Sequence, residues 1–341
     1  MPAYNAAAHV GTCLRALTAQ QLSSIEILAL DDGSTDETLG ILQAAAAADG
    51  RIQVLSGPNR GVYQTRNIGL DAATGRFVAF VDADDLAHPA LLSTLLSAAE
   101  AHAAEVSFCD VEQAEPSGEV RLRESTQRYP PDQPLSLSGW PVMVQEGFTT
   151  LWGRLYRRDF LEAHRLRLDA RYRISADMLF LQRVLRHATT IVRAPAGLYR
   201  YRIGTPDGLT SYTVRNELYR MHLEITIELV DYWVREGLLG MVGPHALTLA
   251  VRNLMWNTHI DPPRLAEVFH GLHQYLTTIP IEEAWLAAMP RLEARVLGCL
   301  RADRFGRFMV LTASIRRRTV AAKGGVHATW PQRLSWLVGI G

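Results

Sequence analysis

Residues 76 to 86, RFVAFVDADDL, form an apolar run that ends in three carboxylates, Asp82, Asp84 and Asp85. Phe77 to Val81 is short, apolar on both faces and partly β-branched. That pattern predicts a buried strand of a parallel sheet, with Gly75 ahead of it. The charges begin where the strand ends. In open α/β sheets ligands bind outside the carboxyl ends of the strands, so the three aspartates stand where a site is expected. Carboxylates one residue apart on a turning backbone can share a hard, oxygen-seeking cation such as Mg2+ or Mn2+, which would in turn hold a substrate diphosphate. A solvated acidic turn has the same spelling, so the surroundings must decide between them.

Upstream, Val10, Leu14 and Leu17 repeat at helical spacing, and Ile25 to Leu30 is a mostly apolar run of strand length that ends in Asp31-Asp32-Gly33. Ser34-Thr35-Asp36-Glu37 has the capping-box pattern, with Leu39, Leu42 and Ala46 as the buried stripe of the following helix. Ile52 to Leu55 predicts another strand and Val62 to Ala73 another helix. Downstream, Leu91, Leu92, Leu95, Leu96 and Ala99 predict an amphipathic helix, and Val106 to Cys109 a strand. Strands alternating with helices imply a mostly parallel sheet with helices on both faces.

From Glu112 to Trp140 the pattern lapses into polar, Pro-rich sequence and predicts a surface loop or insertion. Order returns at Phe148: TTLWGRLYRRDFL reads as helical with Leu151, Leu155 and Phe160 inward, and Asp177 to Leu185 as another helix with Ser175 as its N-cap. Leu198 to Ile203 alternates as a strand does, followed by a Thr205-Pro206-Asp207-Gly208 turn. Beyond Val214, Leu218, Met221, Ile225, Leu229 and Trp233 recur at helical spacing, and similar stripes run to the C-terminus. The expected division is residues 1–212 (with halves 1–110 and 141–212 around a 111–140 insertion) and a helical domain, 213–341.

A length of 341 residues allows two domains with a sizeable core. The 35 basic and 35 acidic residues balance, which removes the case for a nucleic-acid partner held by bulk charge. Lys323 is the one lysine, an arginine bias associated with GC-rich bacterial genomes. Cys13, Cys109 and Cys299 lie far apart without CxxC spacing, so neither a disulfide framework nor a zinc site is indicated, and a reducing cytoplasm fits. No apolar run reaches bilayer length and no leader precedes PAYN, so a soluble or peripheral protein is expected.

Pro2-Ala3-Tyr4-Asn5, Asp31-Asp32-Gly33-Ser34-Thr35-Asp36, Arg66-Asn67-Ile68-Gly69, Thr74-Gly75-Arg76 and Phe80-Val81-Asp82-Ala83-Asp84-Asp85 follow one another within the first 85 residues. Together they resemble the nucleotide-sugar half of the inverting family 2 glycosyltransferases, which have the GT-A (Rossmann-like) fold. The resemblance is strong over residues 1 to 110, looser over 145 to 212, and fades afterwards. It implies transfer of a sugar from a nucleotide sugar, UDP-linked by preference, to a hydroxyl acceptor in glycan or cell-surface polysaccharide synthesis. It also implies residue roles. Pro2 and Tyr4 would border the base and ribose, and Asp32 would accept the imide N–H of the base. Asp82 would contact ribose or help set the metal site, and Asp84 would be the direct ligand of Mn2+ or Mg2+. Asp85 would support both, and Arg66 would lie near the diphosphate or the acidic cluster. Each has a plainer reading: a packed ring for Tyr4, a helix cap for Asp32, a surface arginine for Arg66.

The same resemblance makes Asp177, in Ile174-Ser175-Ala176-Asp177, the general base that takes the acceptor proton; Ala176 replaces the acid that usually precedes it, which bears on substrate positioning. A first-turn aspartate favoured by the helix dipole is the alternative. Trp152 resembles a segment beside the acceptor pocket, though a core Trp fits too, and Arg200 and Arg202 could close over phosphates or lie solvated on their strand. Gln182 is followed by RVLRH and not by the Gln-x-x-Arg-Trp signature of processive synthases, which favours single addition. Arg316-Arg317-Arg318 near Phe308 to Leu311 could touch anionic lipid at the inner face of the plasma membrane, which would suit a lipid-linked acceptor. One departure stands out: the apolar first strand expected ahead of Pro-x-Tyr-Asn is missing, which predicts a displaced or truncated start. A catalytically silent nucleotide-sugar-binding or interaction protein is the reading of a different class. A nucleotidyltransferase would want a Gly-rich basic phosphate loop and a dinucleotide oxidoreductase a GxGxxG after the first strand, and the sequence has neither.

Overall fold

A computed structural model of the chain describes residues 1–114, 119–122, 129–144, 150–202, 218–256 and 261–312. It divides into two compact units, Met1–Gly139 with Thr150–Ile203, and Trp140–Thr149 with Gly204–Gly341. Residues 140–149 thus go with the second unit, and the first ends at 203, nine residues short of the expected 212.

The first unit is the expected α/β body. Strand β1 (Pro2–Ala3), β2 (Ile27–Asp31) and β3 (Ile52–Ser56) make a three-stranded parallel sheet, linked by helices α1 (Val10–Thr18) and α2 (Thr38–Ala48). Parallel neighbours need such crossovers. Pro2 is in register with Leu30 and Ala3 with Asp31, and the Leu30 amide donates to the Met1 carbonyl at 2.9 Å. Val10, Leu14 and Leu17 of α1, Leu42 of α2 and Ile27 of β2 are buried together. The helical spacing read from the sequence is this packing face.

The second sheet departs from a purely parallel pattern. It has seven strands in the order β4-β9-β6-β10-β5, with two more at its flanks: β4 (Phe77–Val78), β5 (Leu86–Ala87), β6 (Val106–Ala114), β7 (Val120–Leu122), β8 (Pro134–Leu135), β9 (Arg154–Arg157) and β10 (Ile191–Arg202). Among the described strands of this sheet, β6 and β10 pair in parallel and the other strand pairs are antiparallel. The expected strand Phe77–Val81 is therefore two residues long and antiparallel to β9. Phe80 and Val81 are buried for another reason, the Phe80 ring meeting Tyr156 and Phe180 edge-on at 5.7 and 6.2 Å.

Two further expectations change. LWGRLYRRDFL is not one helix: Gly153 sits at φ +68, β9 follows it between β4 and β6, and only α5 (Arg158–Ala163) is helical. An i, i+4 apolar spacing over so few residues fits a strand as well. Within the polar stretch 112–140, the described residues include strand: β6 runs on to Ala114, β7 pairs with β6 and β8 with β10. Helix α3 (Val62–Ala72), helix α4 (Leu91–Ala101) and helix α6 (Ala176–His187) match expectation within a residue or two. The three cysteines are free and buried.

The second unit is helical, as expected, with α7 (Tyr219–Arg235), α8 (Leu239–Trp256), α9 (Pro262–Leu276), α10 (Glu283–Ala288), α11 (Arg291–Arg301) and α12 (Phe305–Leu311). Ile225, Leu229 and Trp233 of α7 are buried at the expected spacing. Among the described residues no helix is long and apolar enough to cross a membrane. The Thr205–Gly208 turn and the Arg316–Arg318 cluster lie outside the described residues.

Candidate functional site

Helix α3 organises the site, because consecutive residues on it reach three different parts of the first unit. Thr65 donates its hydroxyl to Asp32 Oδ1 at 2.8 Å, Arg66 pairs through Nη2 with Asp82 Oδ1, and Asn67 exchanges two bonds with Leu168 (Nδ2 to the carbonyl at 2.8 Å, Oδ1 from the amide at 2.9 Å). Tyr63, one turn earlier, lies against the Ala176–Asp177 backbone. The aspartates at the ends of β2, of the β4 segment and at the start of α6 are thereby tied to one helix.

Asp32 follows β2 directly. It is buried and accepts three bonds, from the amides of Arg60 and Gly61 at 2.8 and 2.9 Å and from Thr65. A carboxylate offers about four lone-pair sites, so one remains for a further donor. Gly61 is the N-cap of α3, and the amides around it are the unpaired donors of a helix start. Gly33, at φ +76, lets this turn approach the next loop: a Cβ there would meet the Asn59 amide at 2.6 Å. The capping box expected at Ser34 and Glu37 does not form. Asp36 Oδ1 accepts the Thr38 amide at 2.9 Å, and Ser34 Oγ instead accepts the Asn5 amide at 3.1 Å. Asn5, left-handed at φ +48, takes the Thr35 amide on its Oδ1 at 2.8 Å. These bonds fasten the Pro2–Asn5 segment to the Asp32 loop, with Pro2 buried in β1 and the Tyr4 ring half exposed above it.

The acidic loop is anchored from β10. Asp85 is buried, receives the Tyr199 phenol on Oδ2 at 2.7 Å and the Arg202 amide on Oδ1 at 2.8 Å, and burial together with Asp82 and Asp84 pushes its pKa well above the carboxylate range. Arg202 Nε also donates to the Asp84 carbonyl at 3.0 Å, so Arg202 shapes the acidic loop, while Arg200 pairs with Glu112. Asp84 is half-buried, and its pKa is raised by burial and by Asp82, with His9 and Arg202 opposing. Among the described residues no three His, Cys, Asp or Glu side chains converge as a metal cage.

Asp177 stands in the first turn of α6, partly buried, with Oδ1 accepting the Met178 amide at 3.0 Å. Burial raises its pKa to about 6, and Arg66 pulls the other way. Ser175, just before the helix, is held at φ +58 without a side-chain cap bond, so the expected N-cap is present by position only. Backbone strain of this kind collects at functional sites. Trp152 is 6% exposed and stacks on Tyr199 and Tyr201, with centroids 5.2 and 4.8 Å away, leaving Tyr201 as the more open ring of the stack.

Sequence reasoning missed Tyr63, Thr65, Asn67 and Tyr199. A buried run at i, i+2 and i+3 on α3 was a signal for the first two, since a polar Thr and a Tyr on a core-facing stripe require partners. Tyr199 was visible only as a strand residue, its partner lying 114 positions away.

Residues 1–187 match the model of glycosyl transferase family 2, a stretch that holds the site residues from Pro2 to Asp177 and ends before Tyr199, Tyr201 and Arg202. The chain is 32% identical over 205 residues to the putative glycosyltransferase EpsH of Bacillus subtilis, covering 59% of this chain and 58% of that protein. It is 28% identical over 206 residues to the succinoglycan biosynthesis protein ExoO of Rhizobium meliloti, covering 59% of each. The chain thus spans less than two thirds of the length of these relatives. In fold it is similar to S. aureus TarS 1-349 in complex with UDP-GlcNAc, with a TM-score of 0.72 at 18% identity over 93% of this chain and 90% of that one. With the family match running from the first strand to the end of α6, over more than half of the residues, this chain belongs to glycosyl transferase family 2.

Proposed function

We propose that this chain is an inverting glycosyltransferase that moves a sugar from a uridine diphosphate sugar to a hydroxyl acceptor, in one displacement. One observation carries the reading: a single helix, α3, binds Asp32 and Asp82 on the donor side and faces Asp177 on the other. Tyr4 and Asp32 would take the base, Asp82 and Arg66 the ribose and diphosphate, and Asp177 the acceptor proton. A carboxylate titrating near 6 is ionised at neutral pH and still basic enough to accept a proton in the transition state. The succinoglycan biosynthesis named for ExoO and the UDP-GlcNAc bound to TarS support the substrate class.

Asp84 is the residue that would hold Mg2+ or Mn2+. Its charge is destabilised by burial and by Asp82, and a bound cation would relieve both. Such a cation supplies Lewis-acid neutralisation of the leaving diphosphate; the other ligands would come from the donor and water. Trp152, Tyr201 and Arg202 would border the acceptor, and contact with a lipid-linked acceptor at the cytoplasmic membrane face belongs to the same proposal.

The test is thermal unfolding with UDP, with and without Mn2+, alongside hydrolysis of UDP-sugars. A ligand bound only by the native state raises the melting temperature. The expected result is stabilisation that needs the metal and disappears in Asp84→Ala, together with slow turnover. Stabilisation without any turnover supports the silent binder instead, and a response independent of metal overturns the role given to Asp84.

A further inference from the structure

We propose that Thr65 is a positioning residue for Asp32: its hydroxyl fills the last acceptor site on Oδ1, so that Oδ2 alone is left to read the nucleotide base and the site selects uracil over cytosine. The inference rests on the reading of Asp32 as the acceptor of the base N–H and deepens it. Asp32 Oδ1 takes the Arg60 amide at 2.8 Å and the Thr65 hydroxyl at 2.8 Å, and Oδ2 takes the Gly61 amide at 2.9 Å. Each carboxylate oxygen offers about two lone-pair sites, so Oδ1 is full and Oδ2 has one left. Thr65 is 4% exposed and Asp32 5%, which shields the bond between them from water.

Capping does not account for the third bond. The amides at the start of α3 are the donors a helix N-terminus leaves unpaired, and Asp32 satisfies those of Arg60 and Gly61 without Thr65. The Thr65 amide is bonded to the Gly61 carbonyl at 3.1 Å, so the residue belongs to the helix ladder whatever its side chain does. Helices favour Ala over a β-branched residue, and a buried hydroxyl costs stability until it finds an acceptor. What Thr65 contributes at this position is a donor, on a side chain with few rotamers.

The selectivity follows from which oxygen is open. Uracil carries a donor N–H at the ring nitrogen where cytosine carries an acceptor. An acceptor facing the open site of Oδ2 gains no bond and sets two lone pairs against each other, whereas an N–H completes the carboxylate. Without the Thr65 hydroxyl, Oδ1 regains a vacant site and the carboxylate can turn about its Cβ–Cγ bond, so the exocyclic amine of cytosine finds an acceptor too.

The experiment is calorimetric binding of UDP and of CDP to the full chain in Mn2+ buffer, for wild type, Thr65→Val and Thr65→Ser. Wild type is expected to hold UDP about 100-fold more tightly than CDP. Thr65→Val keeps the shape and removes the hydroxyl: UDP should weaken about tenfold while CDP holds or tightens, and Thr65→Ser should recover most of the preference. A helix that is only loosened would weaken both nucleotides alike. That result, an unchanged preference in Thr65→Val, or no recovery in Thr65→Ser overturns the proposal. Should Thr65→Val fail to fold, Thr65→Ala, which suits the helix, takes its place under the same criteria. The two readings fail separately. No preference for UDP in wild type removes Asp32 from base recognition and the proposal with it, whereas a wild-type preference that survives loss of the hydroxyl refutes the role of Thr65 alone.

Discussion

The Tyr199 phenol donates to Asp85 Oδ2 at 2.7 Å, and its oxygen accepts the Asp82 amide at 3.2 Å. One hydroxyl at the end of β10 therefore fixes both ends of the acidic turn. Arg202 holds the other oxygen of Asp85, so each of its two carboxylate oxygens is anchored from β10.

Tyr199→Phe keeps the ring stacked on Trp152 and removes only the hydroxyl. Asp85 and the Asp82 amide each lose a buried partner, which costs about 1 to 3 kcal/mol. The expected result is a lower urea midpoint with the slope unchanged, and weaker metal-dependent binding of UDP as Asp84 loses its fixed position. An unchanged stability would mean that water replaces the hydroxyl and that the turn does not depend on it.

Asp177→Asn should lose activity and gain stability. The sign follows from the folded pKa near 6, above the ordinary 3.8: the folded state binds this proton more tightly than the unfolded one, so stability falls as pH rises through this window. Above pH 7 the full penalty is present, and Asn removes it. For a partly buried group the gain is roughly 1 to 2 kcal/mol at pH 7.5, shrinking toward zero by about pH 4. Turnover should fall by about 100-fold or more while UDP binding persists. Urea unfolding at the two pH values, with kcat and donor KM, checks both; a less stable variant at pH 7.5 would show that the carboxylate is held by a partner and not merely buried.

What the sequence discloses is the part of this architecture written in short repeats. The β2 and β3 strands, α1, α3, α6 and the aspartates at strand ends all follow from local periodicity and from charges at its limits. Phe80 shows where that fails, because an apolar run satisfies a T-shaped ring cluster as readily as a strand ladder. β9 shows it again, since it is a strand only because β4 and β6 flank it. Partnerships at long range, Tyr199 with Asp85 or Asn67 with Leu168, have no local signature, and Asp36 outcompetes Ser34 as a cap because Asn5, 29 residues away, claims the serine.

Asn67 tests whether α3 carries Asp177, the proposed base, into register with Asp32 and Asp82 on the proposed donor side. Its amide meets Leu168 as a neighbouring strand would, donating at 2.8 Å and accepting at 2.9 Å, and residue 168 lies in the segment that leads into α6. Asn67→Asp keeps the accepted bond and turns the donated one into a contact between two oxygens. Stability should drop by about 1 to 3 kcal/mol. Asp32, Thr65 and the α3 N-terminus are untouched, so donor affinity should hold while kcat falls about tenfold or more, as expected when a base is displaced by a fraction of an ångström. A rise in donor KM at constant kcat would instead place the Leu168 contact on the nucleotide side and separate it from Asp177.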